Sequence, residues 1–159
     1  MIRMSRLTDY GIVLMSYMAA HRDRITNAAE LAAGAQLPLP TVGKLLRLLA
    51  REDLLVSQRG VKGGYTLAHA PEEISIAEII GALEGPIALT VCTTAPSGEC
   101  EYEPQCPVRT PWQRINRAVR DALEQITLAD MSSPPAHVRH AIDPFPRQPA
   151  PRPARHAAP

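Results

Sequence analysis

The sequence predicts a mainly α-helical protein with a small β-wing: a winged helix-turn-helix followed by a long C-terminal helix suited to dimerisation. Three observations predict it. Three short helical patterns fill the first 51 residues. Two strand-like runs then flank a glycine-rich turn within residues 54–68. Finally, apolar residues spaced by three and four run from Trp112 to Ala129.

The first helix is LTDYGIVLMSYMAAH (7–21), with Tyr10, Val13, Leu14, Tyr17 and Met18 at helical spacing. The second, TNAAELAAG (26–34), is short, with Thr26 as N-cap and Gly34 as its stop. The third lies in LPLPTVGKLLRLLARED (37–53), where Pro40 fits the first helical position. Val42, Leu45, Leu46 and Leu49 form its buried stripe, leaving Thr41, Lys44, Arg47 and Arg51 mostly on other faces. In LLVSQRGVKGGYTLA (54–68), Leu55 and Val56 lead into a turn, and Tyr65, Thr66 and Leu67 lead out. Gly60, Gly63 and Gly64 permit positive φ at the tip. A fourth helix is signalled by ISIAEIIGALEG (74–85). Ser75 and Glu78 make a capping box, Ile74 and Ile79 occupy the staple positions, and Gly85 ends it.

The last helix, TPWQRINRAVRDALEQITLADM (110–131), has Thr110 as N-cap, Pro111 at N1 and Gln113 at N3. Trp112, Ile115, Val119, Ala122, Ile126 and Ala129 form a seam. It either packs on its own domain or pairs with a second copy; a homodimer is favoured, because the preceding domain already looks complete. The domain plan is a DNA-reading unit at 1–70, a connecting helix at 71–90, a cysteine loop at 91–109, a dimerisation helix at 110–131 and a disordered Pro/Ala/Arg-rich tail at 132–159.

Net charge is only +1, but it is unevenly spread. Residues 1–70 carry nine Lys/Arg against five Asp/Glu, whereas residues 71–106 carry seven Glu and no basic residue. The N-terminal part therefore suits a polyanion and the cysteine region does not. On the third helix, Thr41, Lys44 and Arg47 are placed to meet bases or phosphates. At the wing tip, Arg59 and Lys62 lie among glycines and suit a minor groove. The competing reading is a solvated basic face on a protein-binding module; the charge skew favours duplex DNA. No run approaches the roughly 18 apolar residues of a membrane span, and no signal peptide is apparent, so a cytoplasmic location is expected. Walker, GxSxG and His-based catalytic patterns are missing, which argues against an enzyme and a small-molecule substrate.

All three cysteines fall in CTTAPSGECEYEPQC (92–106), separated by seven and five residues. Their odd number argues against a disulfide framework. Thiolates are soft ligands for an iron–sulfur cluster or zinc. Zinc sites usually close with four Cys/His ligands, often in CxxC pairs, and no such pair occurs here, so a cluster is preferred over zinc.

LTDYG, LPLPTVGKLLRLLAREDLL, RGVKGGYTLA, PEEISIAEII and then the three-cysteine loop occur in the order seen in the IscR/NsrR-type family of winged-helix regulators. The chain resembles that family over residues 1–130, most of all its regulators of SUF-type iron–sulfur assembly. The resemblance implies a homodimeric transcription factor, a repressor type, that binds an iron–sulfur cluster and places Arg59 in the minor groove. A two-iron (2Fe–2S) cluster is slightly favoured over a four-iron (4Fe–4S) one. Alternatives are a nitric oxide or redox sensor for other genes and a zinc-stabilised module without sensing. Cys92, Cys100 and Cys106 are the implied ligands. Arg109 stands where some relatives place a ligating histidine. The fourth ligand is therefore sought in Asp9, matching an aspartate that NsrR-like relatives supply from the partner subunit, or in the loop glutamates Glu99, Glu101 and Glu103. Read from the sequence alone, Asp9 is in the first place a first-turn helix residue favoured by the helix dipole, and the resemblance brings the ligand role level with that reading. Gly43 replaces an acidic residue that some relatives use to select DNA sites, and the first cysteine interval is two residues longer than usual.

Overall fold

The computed structural model describes residues 3–60, 62–93, 100 and 105–132. Helix α1 spans Arg6–Ala20, with the Ser5 hydroxyl accepting from the Thr8 N–H as its cap. Leu14, Met15 and Met18 face the core, with Tyr10 and Tyr17 packed at its edge. Val13, expected on that stripe, is 41% exposed. The inward face is centred on Gly11, Leu14, Met15 and Met18, which turns Val13 outward.

Helix α2 spans Ala28–Gly34 and is capped by Asn27, not Thr26: the Asn27 side chain accepts from the Glu30 N–H. Thr26 is instead a sheet residue, exchanging backbone hydrogen bonds of 3.2 and 2.9 Å with Tyr65. Gly34 does not supply the left-handed stop either. Gln36, with φ 54°, makes that turn, and Gly34 is small because any Cβ there would run into the Tyr17 ring.

Helix α3 spans Leu39–Arg51, starting one residue before Pro40. Val42, Leu45, Leu46 and Leu49 are all fully buried. Burying each such side chain stabilises the fold by about 1.5–3 kcal/mol. Strands β1 (Leu55–Gln58) and β2 (Gly64–Leu67) pair antiparallel, Leu55 opposite Leu67 and Gln58 opposite Gly64. Of the tip glycines, only Gly60 adopts positive φ (117°). Gly63 and Gly64 serve close approach: a Cβ would strike the Gln58 carbonyl at the first and the Thr26 carbonyl at the second.

Helix α4 (Ile76–Glu84) has the predicted capping box. The Ser75 hydroxyl accepts from the Glu78 N–H, and the Glu78 carboxylate accepts from the Ser75 N–H at 2.7 Å. Ile74 and Ile79 are buried, and Gly85 ends the helix with φ 89°. A single 3₁₀ turn, Val91–Thr93, leads toward the cysteine region.

The long last helix divides in two: α5 spans Arg109–Glu124 and α6 spans Leu128–Ser132. Thr110 lies inside α5 rather than capping it, since the cap position is Val108 and no side chain closes it. The break has a local and a long-range cause. Thr127 and Asp130 form a reciprocal cap, the Asp130 carboxylate accepting from the Thr127 N–H at 2.9 Å and the Thr127 hydroxyl accepting from the Asp130 N–H at 3.3 Å. Residues 126–128 also pair with the start of α4: the Ile76 N–H donates to the Ile126 carbonyl and the Leu128 N–H to the Ile74 carbonyl. Leu128 thereby enters the core, fully buried, and α6 packs on α1. The tail beyond residue 132 lies outside the described residues.

Candidate nucleic-acid interface and cysteine site

Lys44 and Arg47 of α3 and Arg59 and Lys62 of the wing share a lack of ion pairing. Lys44, Arg47, Arg59 and Lys62 are exposed, and Thr41 is half-buried beside the core stripe. Among the described residues the only salt bridge joins Arg51 to Glu52. Charges left unpaired on one domain remain available to phosphates. The Arg47 Nε donates to the Gly43 carbonyl at 3.1 Å, which lays the guanidinium along the helix. Nothing crowds the Gly43 position.

The structure adds a basic segment that the sequence reading missed. The Thr26–Tyr65 pairing holds residues 24–26 against β2, and the Ile25 side chain packs at Gly64, beside the wing tip. Arg24 and Arg22 are exposed on this approach. The missing signal was tertiary: a single bridge residue is too short to read as a strand.

A second junction joins the start of α1 to the end of α4. Glu84 accepts from the Thr8 hydroxyl and from the Ser5 N–H, the latter at 3.0 Å. Thr8 is fully buried there. The Thr8 hydroxyl, then Ser5 through its side chain and backbone, hold the Glu84 carboxyl below its usual range. Asp9, the next residue after Thr8, is exposed in the first turn of α1.

Cys92, Cys100 and Cys106 are all free and half-buried. The turn carrying Cys92 packs against α5, and Cys106 precedes that helix, its carbonyl accepting from the Arg109 N–H at 3.4 Å. The Cys92 Sγ lies 3.2 Å from the Thr90 hydroxyl. Within one chain, and among the described residues, no three His, Cys, Asp or Glu side chains are gathered as a metal site, so Asp9 and the cysteines are not brought together in a single protomer. Glu99, Glu101 and Glu103 lie outside the described residues. The donor chemistry itself fits an iron–sulfur cluster: three reduced, partly accessible thiols.

Residues 4–134 match the model of the Rrf2 family, described as iron-dependent transcriptional regulators. The chain belongs to the Rrf2 family. An HTH-type transcriptional regulator of Mycobacterium tuberculosis is 30% identical over 148 residues, 91% of each chain. The HTH-type transcriptional regulator NsrR of Halalkalibacterium halodurans is 27% identical, over 82% of this chain and 90% of that protein. Among solved structures, CymR, the global cysteine regulator of B. subtilis, superposes with a TM-score of 0.63 at 29% identity, covering 83% of this chain and 97% of that one. T. potens IscR gives 0.60 at 26% identity, covering 82% and 85%. Rrf2 proteins are DNA-binding transcriptional regulators and not enzymes, and this chain is one of them. The two-stranded sheet is the wing of their winged-helix fold. No helix among the described residues is long and apolar enough to cross a membrane.

Proposed function

We propose that this Rrf2 regulator works as a homodimer whose cysteine loop carries an iron–sulfur cluster, and that it controls SUF-type assembly genes according to cluster status. The observation that carries the reading is the set of three free, half-buried thiols lying between α4 and α5. Cys92, Cys100 and Cys106 would hold the cluster, with Asp9 of the other protomer as fourth ligand. When bound, a cluster supplies iron–thiolate bonds that are sensitive to supply, oxidants and nitric oxide.

The chain's own residues do the rest. Lys44, Arg47, Arg59 and Lys62 bind the duplex, and Thr41 faces the bases from α3. Glu84 fixes the start of α1, and with it Asp9, to the helix that leads into the cysteine region. The seam supplies the dimer contact: Trp112 and Ile115 of α5, and Ile126 just beyond its end, are 37%, 48% and 40% exposed in the single chain. Two winged helices related by a two-fold axis then read a palindromic site.

Anaerobic purification tests the proposal. Iron and acid-labile sulfide are expected in comparable amounts, with visible charge-transfer absorption. A colourless protein holding zinc and no sulfide would contradict it.

A further inference from the structure

Asn116 is the one fully buried residue of α5, at 4% exposure, on a helix that otherwise faces mostly outward. Its side-chain amide is used on both sides. The Oδ1 accepts from the Leu89 N–H at 3.0 Å, and the Nδ2 donates to the Ile87 carbonyl at 3.1 Å. A side-chain amide carries its donor and its acceptor on separate atoms, so one buried Asn can meet a backbone N–H and a backbone carbonyl at once. It substitutes here for a strand partner and fixes an irregular segment to α5.

The order continues without a gap toward the sulfur. The Thr90 N–H, next in the chain after Leu89, donates to the Thr93 hydroxyl oxygen at 3.2 Å. The Thr93 hydroxyl and N–H both donate back to the Thr90 carbonyl, at 2.7 and 2.9 Å. The turn so closed contains Cys92, whose Sγ lies 3.2 Å from the Thr90 hydroxyl.

We infer that Asn116 is a positioning residue for Cys92. Its amide anchors residues 87–89 to α5, and the Thr90–Thr93 turn passes that order to the thiol. One ligand is thereby placed before any cluster arrives, which lowers the ordering cost of assembly. The purpose of this placement rests on the cluster reading above; the placement itself does not.

The test uses the full-length, metal-free, reduced protein. It is alkylated with iodoacetamide, and Cys92, Cys100 and Cys106 are followed separately by mass spectrometry. In Asn116→Ala, Cys92 should react at least about fivefold faster relative to Cys106, because the segment that holds it opens locally. Thr93→Val breaks the same relay while leaving Asn116 bonded, and should raise the same ratio with the melting temperature little changed. If Asn116→Ala accelerates all three cysteines together, the protein has loosened globally and Thr93→Val decides. A Cys92-to-Cys106 ratio within about twofold of the native value in Thr93→Val overturns the inference. A protein that takes up no iron would end the cluster reading and still leave this ratio to be measured.

Discussion

If the proposed homodimer forms through the seam, replacing Ile115 by Glu should turn it into a monomer without harming the fold of the single chain. Ile115 is 48% exposed, so about half its surface is already covered by its own protomer. Full burial of an isoleucine is worth about 1.5–3 kcal/mol, so covering the remaining half contributes about 1 kcal/mol. Two-fold symmetry counts each residue twice, giving about 2 kcal/mol per dimer, or roughly thirtyfold in Kd. A carboxylate forced into that contact adds a desolvation cost of several kcal/mol per ion. The sum is at least about 4 kcal/mol, roughly a thousandfold. Sedimentation over a range of concentrations measures it, with Ile126→Glu as an independent probe and Arg117→Glu as a charge control off the seam. Melting of the monomer should stay near native. If both isoleucine variants sediment as dimers wherever the native chain does, the seam is not the interface.

Four further outcomes follow from the same geometry. Arg59→Ala should weaken duplex binding, and Arg24→Gln should lower the slope of log affinity against log salt by about one, the share of a single phosphate contact; titrations at several salt concentrations show both, and an unchanged slope removes Arg24 from the interface. Asp9→Ala should leave dimer and fold intact but change the cluster's absorption spectrum and hasten its loss in air; an identical spectrum and lifetime would exclude Asp9 as ligand. The Glu84 carboxyl is held by the Thr8 hydroxyl, and then by Ser5, below its ordinary value of about 4.5 in the folded protein. Its contribution is therefore fully present above that value and disappears as pH falls through the folded pKa. Glu84→Gln should flatten the acid side of a melting-temperature profile below about pH 4.5, and an unaltered acid limb would contradict the junction.

The sequence carried the local features well. The α3 stripe, the Ser75–Glu78 box and the Ile74–Ile79 staple each depend on residues within one or two turns, and each stands where expected. Two local signals were present but passed over. Asn27 with Glu30 has the spacing of a cap, and Thr127 with Asp130 marks the start of a new helix. A sustained heptad stripe outweighed the second, because periodicity alone does not register a strand-like pairing of residues 126–128 with 74–76. The junctions that bear on function were not legible. Glu84 reaches Thr8 and Ser5, and Asn116 reaches Ile87 and Leu89, across sequence separations that no spacing rule encodes. The three cysteines were legible as donors, while the Asn116 contacts that lead to Cys92 were not.

The central claim is that cluster status governs DNA reading. It is tested most directly by titrating one duplex, selected from a randomised pool, with cluster-loaded and cluster-free protein under strictly anaerobic conditions at a single salt concentration. Coupling between the cysteine site and the DNA-reading face predicts affinities that differ by at least about fivefold. Equal affinity in the two forms would contradict the account.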